Sequence, residues 1–232
     1  MREIIFDTET TGLDPRAGDR LVEIGCIELV DRRETGRNFH AYFNPERDMP
    51  MEAEAVHGLS IQFLSDKPLF ASRVDELLEF LGDAPMVAHN AAFDFGFVNA
   101  ELVRAGRPAL DMSRMCCTVQ MARKLHPGAK HSLDALCTRY GIDRSHRVKH
   151  GALLDAELLA HLYIEMTGGR QIGLGLGAEA APASRPVAAS TAGVVSSRPY
   201  REPRPHAATA AELARHTEFV ATLNQPLWHD SP

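Results

Sequence analysis

Three short segments of the 232-residue chain carry side chains able to hold divalent cations and to move a proton. The first is Asp7-Thr8-Glu9, at the end of an apolar, β-branched run, Arg2–Glu9, that reads as a strand. Side chains alternate along a strand, so both carboxylates project from one face, about 6–7 Å apart at the backbone. Carboxylates that close repel each other unless protons or cations lie between them. Taken alone, Asp-x-Glu also fits an exposed acidic strand end. The second segment is His89-Asn90-Ala91-Ala92-Phe93-Asp94. Asn90 is placed to cap a helix over Ala91–Ala105, which sets Asp94 in its first turns beside Phe97 and Val98. A carboxylate with apolar neighbours needs a partner, the alternative being a capping or dipole-compensating role. The third is His150-Gly151-Ala152-Leu153-Leu154-Asp155. Asp155 shares a helical stripe with Leu159, Leu162 and Met166, so it faces the core and calls for a compensating cation.

Together these segments favour a hard, oxygen-liking cation such as Mg²⁺ or Mn²⁺, because the donors are carboxylates and no Cys-rich set accompanies them. Two such ions can stabilise the attacking and leaving oxygens of a phosphodiester, and a nearby histidine can deprotonate the attacking water. That chemistry is a metal-dependent nuclease.

The elements that must position these groups read as α/β. Strands are predicted at Arg2–Glu9, Leu21–Val30, Phe39–Phe43 and Met86–Ala88, with helices at Arg73–Leu81, Ala91–Ala105, Ser132–Tyr140 and Gly151–Thr167. Strands first and mostly helices after them argue for a sheet flanked by helices. Thr10-Thr11-Gly12-Leu13-Asp14-Pro15 is turn-rich and leaves the first carboxylate pair at the sheet's edge.

The formal charge of −6 falls wholly on residues 1–170, which hold 20 Lys+Arg against 26 Asp+Glu. Bulk-charge binding to nucleic acid is thereby excluded, whereas two divalent ions would add four positive charges where a phosphate must sit. Arg144, Arg147 and Lys149 are then expected to guide the strand. No run approaches the roughly 20 apolar residues of a membrane span, the N-terminus turns acidic at once, and Cys26, Cys116, Cys117 and Cys137 form no Cys-x-x-Cys pair. A cytoplasmic protein with reduced thiols and no membrane partner is expected.

The order of these motifs and the five-residue spacing from His150 to Asp155 resemble the DEDD-type 3′→5′ exonucleases, in the branch with a catalytic histidine. Phe6–Leu13, Val56-His57-Gly58, His131–Cys137 and His150–Asp155 are similar to the replicative proofreading members of that family, and the likeness runs nearly continuously over residues 1–170. The resemblance implies a ribonuclease H-like fold, a five-stranded mixed sheet with helices on both faces. It implies that Asp7, Glu9, Asp94 and Asp155 hold two Mg²⁺ or Mn²⁺ ions and that His150 is the general base. Water would then release a nucleoside 5′-monophosphate from a single-stranded or frayed DNA 3′ end. Besides Asp7, Glu9 and Asp155, it implies that Thr10, Leu13, Glu52, His57, Asn90 and Phe93 contact the terminal nucleotide. Leu13 and Phe93 also suit packing on a base face without reading sequence, while His57 fits a satisfied structural histidine as well.

Beyond the 1–170 exonuclease domain, composition shifts. Between Gly173 and Ala211 there are 11 Ala and 5 Pro but one aromatic residue, too little apolar surface to offset ordering entropy. Residues 177–207 therefore read as a flexible linker. Before it, residues 171–176 resemble the Gln-x-x-Leu-x-Leu peptide that bacterial partners insert into the sliding clamp, through Gln171, Leu174 and Leu176; a frayed helix end is the alternative. After it, Thr209-Ala-Ala-Glu212 has the form of a capping box. Leu213, Phe219, Val220, Leu223 and Trp228, within residues 208–232, form an apolar segment suited to docking, and the family relation implies the polymerase subunit as its partner. A free-standing DNA or RNA exonuclease and a non-catalytic polymerase–clamp adaptor are the competing readings. A tether argues against the first, and a full set of five catalytic residues argues against the second.

Overall fold

The computed structural model describes residues 1–145, 147, 149–169 and 208–223. The chain divides into two units, Met1–Gly177 and Ala178–Pro232, each described by itself.

The first unit is built on a five-stranded mixed sheet. Its strands are β1 (Arg2–Thr10), β2 (Leu21–Val30), β3 (Arg33–Tyr42), β4 (Met86–Ala88) and β5 (Met115–Cys117), in the order β3-β2-β1-β4-β5. β1 runs antiparallel to β2 and β2 to β3, whereas β4 lies parallel to both β1 and β5. The β2–β3 hairpin closes through Asp31 and Arg32, both with positive φ (50° and 61°), the backbone that a two-residue turn needs to match the strands' twist. β3 starts six residues earlier than its apolar run suggests, because Arg33–Asn38 are exposed and pair with β2 through the backbone and through Thr35 and Arg37, which both reach Glu28, and not through apolar contacts. The short α1 (Met51–His57) and α2 (Ile61–Leu64) escape hydrophobic periodicity for a similar reason, since α1 buries only His57 and α2 only Leu64.

Helices cover both faces. α3 (Phe70–Leu81) and α4 (Ala91–Arg104) share a core with Ile4, Phe6, Ile24 and Met86. α5 (Thr118–Leu125), α6 (Leu133–Tyr140) and α7 (Ala152–Met166) contribute to a second core with Ile5, Ile27, Leu29 and Val87. Consecutive β1 residues thus serve opposite cores, as strand alternation requires. Asp7 and Glu9 continue the α7-facing row of Ile5, while Thr8 continues the α4-facing row of Phe6.

Gly25 sets how closely α7 approaches. It pairs with Asp7 across the β1–β2 ladder, and a Cβ at this position would overlap the backbone nitrogen and Cα of Leu153. The first turn of α7 therefore lies directly on the sheet opposite Asp7, and Asp155 is delivered to the strand that carries Asp7 and Glu9.

In the second unit, α8 (Ala210–Ala221) opens with the expected capping box: Thr209 Oγ1 accepts from Glu212 N–H, and the Glu212 side chain accepts from Thr209 N–H. Leu213, Phe219 and Leu223 are exposed and Val220 is buried, so the four do not share one environment. Gln171, Leu174, Leu176 and Trp228 lie outside the described residues. The four cysteines are unpaired, and no described helix is long and apolar enough to cross a membrane.

Because the obstacle at Gly25 is backbone rather than a movable side chain, Gly25→Ala is expected to cost about 1–3 kcal/mol in chemical denaturation, together with a loss of the nuclease activity expected from the sequence. Wild-type stability and activity in that variant would show that α7 does not need this close approach.

Candidate active site

The end of β1 supplies two of the site's carboxylates, and two helices bring the others. Asp155 enters on the first turn of α7 and is buried; Asp94 enters on the first turn of α4 and is buried as well. Thr8, on the opposite face of β1 from Asp7 and Glu9, donates its hydroxyl to Asp94 Oδ1 at 2.7 Å and ties α4 to the strand. Asp7, Glu9, Asp94, Asp155 and His150 line one cleft of about 300 Å³. Ligand-capable atoms of Glu9, His150 and Asp155 lie within 4.8 Å of one another.

This arrangement is electrostatically costly. Burial, then the charges of Asp94, Glu9 and Asp155, push the Asp7 carboxyl well above its ordinary range. Burial, with Asp155, Glu23 and Asp94, pushes Glu9 up to about 8, although Arg147 opposes the shift. Asp94 rises to about 7, mainly by burial and against the Thr8 hydrogen bond. Glu9 Oε1 is buried with no hydrogen-bond partner. Desolvated carboxylates that hold protons near neutrality, with one oxygen left unpaired, form a donor set suited to hard divalent cations.

The strongest cation already at the site is Arg147. Its Nε donates to Asp155 Oδ1 at 2.5 Å and its Nη2 to Asp155 Oδ2 at 2.7 Å, while Nη1 reaches Asp134 Oδ1 at 2.9 Å. The Arg147 side chain is 9% exposed, so it faces the cluster and does not guide an incoming strand. Arg144 is likewise engaged, with Asp134 at 2.9 Å. Lys149 packs its stem against Gly58, whose positive φ and missing Cβ leave room for it. His150 is half-exposed, its Nδ1 lying 3.2 Å from Asp155 Oδ2 and 2.7 Å from Arg147 Nη2.

An adjoining cavity of about 510 Å³ shares Glu9 and Phe93 with the cleft and is lined by Thr10, Leu13, Glu52 and His57. Leu13 is 84% exposed. His57 is buried; its Nδ1 accepts the Leu59 N–H at 3.0 Å, so the neutral ring carries its proton on Nε2, which has no hydrogen-bond partner. Burial holds its pKa below the ordinary value. The Thr10 hydroxyl is spent on the Gly12 carbonyl at 2.6 Å and shapes the turn carrying Leu13. Asn90 departs from expectation: it occupies the cap position of α4 with φ 68°, its side chain makes no capping bond, and it lines neither cavity.

The exonuclease family model matches residues 4–163. DNA polymerase III subunit epsilon of Rickettsia felis is 56% identical over 174 residues, covering 74% of this chain and 76% of the relative. The chain belongs to the DNA polymerase III subunit epsilon family of exonucleases. The epsilon subunit of Escherichia coli K12 is 47% identical over 176 residues, covering 73% of this chain and 72% of that one. Among solved structures, exonuclease X in complex with 5′-overhanging duplex DNA superposes with a TM-score of 0.55 at 25% identity, covering 71% of this chain and 90% of that one. A 3′-exonuclease that recognises the histone mRNA stem-loop shares the fold, with a TM-score of 0.61 at 14% identity over 71% of this chain and 63% of that one. Divalent-metal dependence is a property of this exonuclease family.

Three contributors to the site were not singled out from sequence. Thr8 lies between two recognised acids, yet only the fold shows that it faces Asp94. Glu23 stands opposite Glu9 across the β1–β2 ladder, 3% exposed and bonded to His40 Nε2 at 2.7 Å. Asp134 sits within the His131–Cys137 motif and receives both Arg144 and Arg147.

The raised carboxylates set a pH dependence. In the folded, metal-free chain Glu9 and Asp94 keep protons up to about pH 8 and 7, whereas unfolded they lose them near 4.5 and 3.8. Their contribution is complete at low pH and is lost as pH rises through the folded values. His57 and His89, lowered by burial, act in the opposite sense, but only up to their unfolded value of 6.5. Between about pH 7 and 8.5 the melting temperature of the metal-free protein is therefore expected to fall, and saturating Mg²⁺ should flatten the slope. A flat metal-free profile over that range would contradict the account of the cluster.

Proposed function

We propose that this chain is the proofreading 3′→5′ exonuclease subunit of a bacterial DNA polymerase III, hydrolysing the terminal phosphodiester of mispaired or single-stranded DNA. The observation that carries the reading is the convergence of Asp7, Glu9, Asp94, Asp155 and His150 on one cleft. Asp7, Glu9, Asp94 and Asp155 would hold two Mg²⁺ or Mn²⁺ ions. When bound, such ions supply positive charge to the attacking and leaving oxygens of an in-line displacement.

The chain's own groups do the rest. Arg147 Nη2 donates to His150 Nδ1 at 2.7 Å in the metal-free protein; once that contact is given up, Nδ1–H can donate to Asp155 Oδ2, 3.2 Å away, which orients the imidazole and leaves His150 Nε2 to take the proton of the attacking water. The half-exposed ring can pass that proton to solvent. Leu13 and Phe93 offer apolar surface to the terminal base without a pattern of base-edge donors, as a proofreader of any sequence requires. The buried His57 Nε2–H, with no partner in the protein, is a donor for a nucleotide oxygen, and Glu52 lines the same cavity. Unpaired ends are favoured because a cleft this size admits one strand, and a mismatch lowers the cost of separating it.

The unit organisation follows the same reading: residues 1–170 form the nuclease, 171–176 a sliding-clamp peptide, 177–207 a linker, and 208–232 a segment docking on the polymerase alpha subunit. The exposed Leu213 and Phe219 of α8 support the last assignment.

With the full chain and a 3′-mismatched primer in Mg²⁺, Asp7→Ala and His150→Ala are each expected to lower the cleavage rate at least about a hundredfold. Undiminished degradation in either variant would refute the site assignment. Deleting residues 208–232 should abolish co-purification with the alpha subunit and leave cleavage of a short oligonucleotide near wild type; retained co-purification would refute that docking assignment. Gln171→Ala with Leu174→Ala should weaken clamp binding alone, and unchanged clamp affinity would remove that motif.

A further inference from the structure

The Arg147 guanidinium is fully committed inside the cluster. Two of its nitrogens take both Asp155 oxygens, at 2.5 and 2.7 Å, in the bidentate geometry that a planar guanidinium offers a carboxylate. The two side chains are 9% and 3% exposed, so the pair is desolvated. Glu9 Oε1, in the same cleft, has no partner. Arg147 thus neutralises Asp155 directly and offsets Glu9 only in part, so Glu9 still holds its proton up to about pH 8. A divalent cation held between Glu9 and Asp155 competes for an Asp155 oxygen to which Arg147 already donates.

The guanidinium also has somewhere to go. Its Nη1 already contacts Asp134 Oδ1 at 2.9 Å, and Asp134 is half-exposed. Arg147 stands on the segment between α6 and α7 and Asp134 in the first turn of α6, so a shift toward Asp134 is a side-chain movement.

We infer that Arg147 is the resident counter-cation of the carboxylate cluster, and that it sets the affinity for divalent ions by having to release Asp155 before they bind. This rests on the reading of the cluster as a cation site, and it makes Arg147 a positioning residue. In the absence of metal it keeps Asp155 neutralised and α7 seated on the sheet. In the presence of metal it withdraws toward Asp134.

Calorimetric titration of the full chain with Mn²⁺ alone tests this without any nuclease assay. Arg147→Gln should bind Mn²⁺ about tenfold more tightly than wild type, because no charge-assisted hydrogen bonds must be broken first. Its metal-free form should melt at a lower temperature, and Arg147→Lys, which keeps the charge but loses the fork, should fall between the two in affinity. A residue with a purely structural role would, on removal, leave metal affinity unchanged or weaken it, and either result would overturn the inference. Asp155→Asn separates the two levels: it should abolish tight Mn²⁺ binding, and a wild-type protein that binds no Mn²⁺ would instead overturn the cation-site reading itself. Should Arg147→Gln not fold, wild-type protein labelled with ¹⁵N-arginine decides, with Arg147→Lys assigning the signal. The Arg147 Nε–H resonance should shift on saturation with Mg²⁺, and a resonance that stays in place would overturn the inference.

Discussion

Mutual repulsion among desolvated carboxylates governs this molecule. Asp7, Glu9, Asp94 and Asp155 converge on one cleft; burial holds Asp94, and burial together with neighbouring charges holds Asp7 and Glu9, far from ordinary carboxylate behaviour. Proteins rarely place unpaired charges inside, because the interior dielectric makes them costly. The cost is tolerated where the function needs cations at one point and phosphate oxygens beside them. The net charge of −6 reads the same way: it describes the chain before its cations are bound.

The fold concentrates these charges through a few close contacts. Strand alternation puts Asp7 and Glu9 on the α7 face and Thr8 on the α4 face, so one strand addresses helices on both sides. The missing side chain at Gly25 lets α7 lie against the sheet and brings Asp155 in. The hydroxyl of Thr8 holds Asp94. The two cavities are also tied together, since the His150 N–H donates to the Val56 carbonyl at 3.4 Å and Lys149 packs on Gly58. α1, which carries Glu52 and His57, and the loop that carries His150 therefore belong to one contiguous wall.

Most of this was legible in the sequence because apolar periodicity marks the long elements and because acids placed on core-facing positions stand out against them. Asp155 on the stripe of Leu159 and Leu162 is the clearest case, and the structure buries all three. The capping box at Thr209 was equally plain, since it is defined by four consecutive residues. What escaped has a common physical cause, namely dependence on partners distant in the chain. Arg147 reads in sequence as one of several cations guiding the strand, and only its three-dimensional contacts with Asp155 show that it faces inward. Three-residue β5 and the polar half of β3 carry no periodic signal and are held by neighbouring strands. Asn90 shows the converse: a residue type suited to capping occupies the cap position, yet with φ 68° its side chain makes no capping bond.

The central claim is that the carboxylate cluster at the end of β1 is a divalent-cation site whose occupancy replaces protons and Arg147 as its compensating charge. Anomalous diffraction from crystals of the full chain grown with Mn²⁺ addresses it directly. The account predicts manganese peaks in contact with the carboxylates of Asp7, Glu9, Asp94 and Asp155, with the Arg147 guanidinium drawn off Asp155. An ordered cluster without manganese, or manganese bound elsewhere while Arg147 remains bidentate on Asp155, would contradict it.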